Sequence, residues 1–184
     1  MKIALPDAEA TTALGQAIAP LLAAGDSLLL YGPLGMGKST LARGLIRALT
    51  TPDEDVPSPT FTLVQFYESD PPVAHFDLYR LTRPEEAFEI GLDEALDEGC
   101  AVIEWPERLG DDPGRFLGAD LLIIEISEQG DGRLATVSGV GRWETGLKEL
   151  HVGPRNPPSR LPEGRRPGRR RARPPARRRL DAAV

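Results

Sequence analysis

Apolar residues recur along this chain in two rhythms. Leu14, Ile18, Leu21 and Leu22 form a stripe at helical spacing. That stripe predicts a helix over 8–24, capped by Asp7 and stopped by Gly25-Asp26. Leu41, Leu45 and Leu49 repeat at i, i+4, i+8 and predict a second helix over 41–49. Between them, Ser27-Leu28-Leu29-Leu30-Tyr31 is a short unbroken apolar run bounded by glycines. Such a run is the mark of a strand buried on both faces.

The second half of the chain favours strands. Residues 60–67 read as one, with Phe61, Leu63 and Gln65 on a common face. Residues 73–79 read as another, joined to the first through Ser69-Asp70-Pro71-Pro72 as an antiparallel hairpin. On it His75, Asp77 and Tyr79 share one face, and Phe76 and Leu78 the other. Pro84 suits the first turn of a short helix, and 93–98 looks helical for a turn or two. Cys100 to Ile103 is a buried strand ending at Glu104. Residues 119–127 and 133–139 form the last hairpin, turned by Gln129-Gly130-Asp131-Gly132. No internal repeat is visible.

Charge divides the chain. Residues 1–150 carry 11 Lys and Arg against 26 Asp and Glu, a net of −15. Residues 151–184 carry 11 Arg, opposed only by Glu163 and Asp181, a net of +9. The expectation is one acidic domain over 1–150 and a basic Arg/Pro-rich tail over 151–184. The tail has almost no large apolar side chains with which to offset the entropy of ordering, so it is expected to be disordered. Its basic residues are all Arg, which fits compositional drift at a GC-rich gene's end, or a shifted reading frame, as well as contact with RNA. The single cysteine, Cys100, excludes a disulfide framework. It reads as packing, with a reactive thiol as the alternative. No apolar run reaches the ~20 residues that span a bilayer, and the N-terminus lacks a signal-peptide pattern. A cytoplasmic protein without membrane contact is expected.

The candidate chemistry centres on Gly32-Pro33-Leu34-Gly35-Met36-Gly37-Lys38-Ser39-Thr40. It has the form Gly-x-x-x-x-Gly-Lys-Ser/Thr between a strand and a helix, the phosphate-binding loop. Glycines let successive N–H groups turn inward onto phosphate oxygens. The following helix adds free N–H groups and its positive dipole end. Lys38 supplies a mobile charge for the β- and γ-phosphates, and Ser39 a hydroxyl for Mg²⁺. Such a loop needs a carboxylate for the metal at a neighbouring strand end, and Glu104 fits. The usual residue there is Asp, and a surface Glu is the alternative. Asp77 lies mid-strand, where an unpaired buried acid is costly. It is an exposed acid of an edge strand, a functional group near the metal, or the partner of Arg80 or Lys38. His75 reads as a structural hydrogen-bonding residue and Trp105 as core or a lid. Ser58-Pro59-Thr60 sits where many such folds place a γ-phosphate-sensing switch.

Several stretches together resemble one family, the bacterial tRNA threonylcarbamoyladenosine biosynthesis ATPases, TsaE. They are Ala10-Thr11 with Leu14-Gly15, Gly32 to Thr40, Ser58 to Val64, His75 to Leu81, Pro84-Glu85-Glu86, and Ile103 to Glu107. They occur in the family's order and span about 5–145. The resemblance implies an α/β fold: a P-loop NTPase-like sheet of mixed parallel and antiparallel strands flanked by helices. It implies an ATP-hydrolysing subunit that joins TsaD and TsaB, the complex that makes threonylcarbamoyladenosine beside the anticodon and meets tRNA through those partners. ATP and Mg²⁺ are the implied cofactors. By the same resemblance Lys38 and the amides of Gly32, Leu34, Gly35, Met36, Gly37, Ser39 and Thr40 hold phosphates. Ser39 and Glu104 hold Mg²⁺, Thr11 lies on the adenine side, Asp77 serves hydrolysis, and Ser58, Pro59 and Thr60 form the switch. Pro33 replaces the family's usual Asp, and Met36 a small residue. A small-molecule kinase also needs such a loop. A GTP switch would need Asn-Lys-x-Asp, which is absent; Asn156 is the chain's only Asn. An RNA-binding protein acting through its tail is the remaining class.

Overall fold

The computed structural model describes residues 1–152. Its strands are β1 (Lys2–Leu5), β2 (Ser27–Tyr31), β3 (Val64–Tyr67), β4 (Val73–Asp77), β5 (Cys100–Glu104), β6 (Leu121–Gln129) and β7 (Gly132–Val140). They form one sheet in the order β1-β7-β6-β2-β5-β4-β3. The inner strands β6, β2, β5 and β4 run parallel. Antiparallel strands extend both edges: β7 and β1 beyond β6, and β3 beyond β4. Helices α1 (Ala8–Ile18), α2 (Lys38–Leu49), α3 (Glu86–Glu89), α4 (Leu92–Glu98) and α5 (Trp143–Gly146) flank it. This is the mixed α/β sheet that the sequence implied.

The apolar run of β2 is unbroken because both its faces are covered. Leu28 and Leu30 pack on one side with Leu14, Ile18, Leu41 and Leu45 of α1 and α2. Leu29 packs on the other with Phe76, Ile103, Ala87 and Leu92. Each fully buried Leu contributes about 1.5–3 kcal/mol over an exposed one, so this central strand anchors both layers. It ends at Tyr31, which delivers the chain directly into the loop that begins at Gly32.

The helices α1 and α2 approach closely enough that glycine is required at the crossing. A Cβ on Gly15 would lie 2.2 Å from the carbonyl oxygen of Leu41, and one on Gly44 2.4 Å from that of Thr12. Both obstacles are backbone, so neither yields cheaply. Gly44→Ala is expected to destabilise the fold by about 1–3 kcal/mol. The helix-propensity gain of about 1 kcal/mol partly offsets the clash. Urea unfolding checks it; an unchanged or raised midpoint would contradict the crossing geometry.

Local chemistry explains where the sequence reading and the structure part. Asp7 caps α1 as expected, its Oδ1 accepting from the Ala10 N–H at 2.7 Å. The helix stops at Ile18, not at residue 24, because Pro20 lacks the N–H to continue; a single 3₁₀ turn, Ala19–Leu21, follows. The second helix starts at Lys38, three residues earlier than its leucines suggest. The strand expected over 60–67 covers only Val64–Tyr67. Before it the chain turns: the Leu63 N–H donates to the Pro59 carbonyl at 2.7 Å, and Leu63 is left-handed at φ 66°. Phe61 stands outside the strand and is 82% exposed, so the shared face of Phe61, Leu63 and Gln65 does not exist. The β3–β4 hairpin itself is antiparallel as read, but β4 ends at Asp77 rather than at residue 79. The final hairpin turns at Gly130-Asp131, with Gly130 at φ 58°. Strand β1 had no counterpart in the sequence reading; its partner β7 lies more than a hundred residues away. The tail expected over 151–184 lies, from residue 153 on, outside the described residues. Among the described residues, no helix is long and apolar enough to cross a membrane.

Candidate functional site

The loop between β2 and α2 is shaped by its glycines. Gly32 has φ 135°, and a Cβ there would sit 2.4 Å from the carbonyl oxygen of Ile126. Gly37 is the N-cap of α2 at φ 102°, and no side chain caps that helix. The start of α2 is thus open to an anion, with its first N–H groups and dipole end exposed. Pro33 has no N–H to offer, and its carbonyl accepts from Lys38 Nζ at 3.0 Å.

Two carboxylates stand opposite. Asp77 ends β4 and Glu104 ends β5, and these residues are direct partners in the parallel register. Both are buried, at 4% and 3% exposure. Glu104 Oε2 accepts from the Ser39 hydroxyl at 3.0 Å, and its Oε1 meets His75 Nε2 at 2.8 Å. Asp77 Oδ2 accepts from the Thr60 hydroxyl at 3.1 Å, and its Oδ1 from the Tyr79 N–H at 3.0 Å. Thr60 and Ser58 share a hydroxyl–hydroxyl bond of 2.8 Å. Neither acid is left unpaired, which removes the burial cost that made Asp77 conspicuous in the sequence.

Lys38 is the buried cation of this group. Its Nζ donates to the Gly32 and Pro33 carbonyls and lies 3.8 Å from the ring centre of Trp105. Burial holds the ammonium below the ordinary lysine range, and Glu104, Glu107 and Asp77 pull it back up in part. Trp105 reaches this position because it is itself left-handed, at φ 60°, directly after β5. Its ring stacks obliquely on Tyr79, centroids 4.9 Å apart. Together these groups border a cavity of about 440 Å³ lined by Lys38, Ser39, Thr60, Asp77, Glu104 and Trp105 among others. A second cavity of about 110 Å³ lies behind the loop, lined by Thr11, Met36, Thr40 and Arg133 among others. A larger groove of about 560 Å³ lies beside β3 and shares no lining residue with this cavity; among the described residues, Glu68 and Glu98 are the acids that line it.

A family model described as "Threonylcarbamoyl adenosine biosynthesis protein TsaE" matches residues 5–135. The chain belongs to the TsaE family. A Streptomyces coelicolor protein named "tRNA threonylcarbamoyladenosine biosynthesis protein TsaE" is 39% identical over 142 residues, covering 72% of this chain and 93% of its own. A Rickettsia felis protein of the same name is 40% identical over 104 residues, and this chain spans 61% of its length. The crystal structure of YdiB from Bacillus subtilis superposes with a TM-score of 0.67 at 30% identity, covering 82% of this chain and 93% of that one. The family's name ties it to the biosynthesis of threonylcarbamoyladenosine.

The TsaE-family fold gathers most of the residues singled out in the sequence. Leu34, Gly35, Gly37, Lys38, Ser39, Thr40, Ser58, Thr60, Asp77 and Glu104 line one cavity. Thr11 and Met36 line the smaller one. Gly32 and Pro59 line neither; the Gly32 carbonyl accepts from Lys38, and Pro59 is buried. A divalent cation is what a loop of this form implies, and Ser39 and Glu104 are donors of a kind that Mg²⁺ takes. Ser39 Oγ and Glu104 Oε2 are hard oxygens held side by side, and Mg²⁺ takes one or two such groups beside phosphates and water. The sequence reading passed over Tyr79 as a support for Trp105, and Arg133, whose guanidinium reaches toward the Gly35 carbonyl at 3.4 Å. Arg133 carried no local signal, since it comes from β7 at a separation of 98 residues. Cys100 is buried, and burial pushes its thiol up to about 12, which fits the packing role over the reactive one.

Proposed function

We propose that this chain binds ATP with Mg²⁺ and hydrolyses it in the cytoplasm. In this reading it is the ATP-driven subunit that works with TsaD and TsaB to make N6-threonylcarbamoyladenosine in tRNA. The observation that carries the reading is the bond between Ser39 and Glu104 at the open start of α2, with Lys38 beside it. Electrostatics supports it. The cavity holds two buried carboxylates and one buried ammonium, so a triphosphate enters favourably only with a divalent cation. Ser39 and Glu104 would hold Mg²⁺, which would supply charge neutralisation to the phosphates.

The residues then divide the work. The amides at the start of α2 cradle phosphate oxygens. Lys38 exchanges its two loop carbonyls for the developing charge on the γ-phosphate. Asp77 orients the attacking water, and Thr60 on Asp77 relays the presence of the γ-phosphate to the Ser58–Leu63 turn. Trp105 and Tyr79 cover the loop and exclude bulk water. Thr11 and Thr40 face the nucleoside side. The acidic domain repels RNA, so tRNA is met through partners.

Incubation with γ-labelled ATP and Mg²⁺ tests the reaction class. The label is expected as free phosphate, with turnover lost on chelation of Mg²⁺ and GTP a poor competitor. Label appearing on a small-molecule acceptor would overturn hydrolysis in favour of a kinase. Isolation of the chain from its own cell extract with ATP and Mg²⁺ tests the partners; TsaD and TsaB are expected.

A further inference from the structure

We infer that His75 is a positioning residue for the divalent cation: it fixes Glu104 so that one carboxylate oxygen faces the metal side. The inference rests on the proposed reading of Glu104 as the metal-facing carboxylate. Its geometry is independent of that reading. His75 lies at the centre of β4, fully buried, and is paired in register with Val102 of β5. Its Nε2 stands 2.8 Å from Glu104 Oε1. The other oxygen, Oε2, accepts from Ser39. The two oxygens are therefore divided, one tied inward to the imidazole and one turned toward the hydroxyl and the cavity. Glu has one more rotatable bond than the Asp common at such strand ends, so its head group needs an outside restraint to keep a fixed direction.

The other ring nitrogen strengthens the assignment. His75 Nδ1 is buried and has no hydrogen-bond partner. The ring thus makes a single side-chain bond, and that bond goes to Glu104. A structural histidine inside a sheet would ordinarily satisfy both nitrogens. Its same-face neighbour Val73 is apolar and well buried, so a Val or Leu would fill the place without an orphaned nitrogen. With Nε2 as the donor, the N–H at that nitrogen goes to the carboxylate. The arrangement matches the way ligands to metals are commonly oriented from behind, with the order of partners reversed: imidazole outside, carboxylate inside.

The test measures cation binding, not turnover. Mn²⁺ is titrated into the full chain loaded with ADP and followed by its paramagnetic resonance, and ADP affinity is measured separately in EDTA. His75→Phe, which keeps a ring but removes the donor, is expected to weaken Mn²⁺ about tenfold or more. Metal-free ADP affinity should stay within about twofold. His75→Gln, whose amide nitrogen overlays Nε2, should restore most of the loss; His75→Asn, whose amide overlays Nδ1 and falls short of Glu104, should not. Should the Phe variant fail to fold, the Gln and Asn pair alone decides. Equal Mn²⁺ affinity in wild type and the Phe or Asn variant would overturn the inference, as would a parallel fall in metal-free ADP binding. Glu104→Gln separates the two levels. If it weakens Mn²⁺ while His75→Phe does not, only the positioning role fails. If it leaves Mn²⁺ binding unchanged, the metal-facing reading of Glu104 fails, and this inference with it.

Discussion

Lys38→Ala is expected to lower ATP turnover at least about a hundredfold, the scale of removing one preorganised donor from a developing charge. Among the described residues, Lys38 is the one buried Lys or Arg, and it faces Asp77 and Glu104. Arg108 is engaged elsewhere, its guanidinium over the Tyr79 ring at 5.5 Å. The loss should not come from unfolding. Burial depresses the Lys38 pKa, so the folded state holds that proton less tightly than the unfolded one. The charge therefore costs stability at neutral pH, and the cost fades as pH rises from the depressed value toward the ordinary one. Removing the side chain removes that cost along with two hydrogen bonds. Phosphate release at saturating ATP and Mg²⁺, beside a thermal melt, checks the prediction. A variant that melts normally and still turns over at the wild-type rate would remove the assignment of this loop as catalytic.

Asp77→Asn should separate binding from hydrolysis. The substitution is nearly isosteric, and its carbonyl oxygen can still accept from the Tyr79 N–H. What it loses is the negative charge opposite Thr60. Turnover is expected to fall by about 10²–10⁴, the usual span for a group that handles a proton or orients water. ATP affinity should change little or rise, since one of two acids facing the triphosphate is gone. Binding measured by calorimetry with a slowly hydrolysed ATP analogue, together with single-turnover phosphate release, distinguishes the terms. A matched fall in both affinity and rate would mean that Asp77 holds the nucleotide instead of serving its cleavage.

Much of this site was visible in the chain before any coordinates, for physical reasons that can be named. A phosphate loop is a contiguous device: strand, glycines, lysine and helix all lie within a few residues of Gly32 to Thr40, so local pattern suffices to read it. Glu104 was legible because three apolar residues lead into it and parallel strands present their last residue at the same sheet end. The acid in β4 stood out because mid-strand charge is costly. Other features depend on contacts across long separations. The bond between His75 and Glu104 spans 29 residues, and that between Ser39 and Glu104 spans 65. Spacing does not encode either. The left-handed turns at Leu63 and Trp105 were unreadable because neither residue type favours that conformation. The early strand β1 was missed because four residues give too little alternation, and its pairing energy comes from β7.

The glycine contacts between α1 and α2 carry a mechanical consequence. Backbone touches backbone there, so the helix that follows the loop cannot shift toward α1 without a clash. The far side of the cavity differs: Trp105, which lines it, is a left-handed non-glycine residue, and such a conformation persists only where its surroundings enforce it. One side is thus held by close backbone contact, and the other by a conformation that its neighbours must maintain.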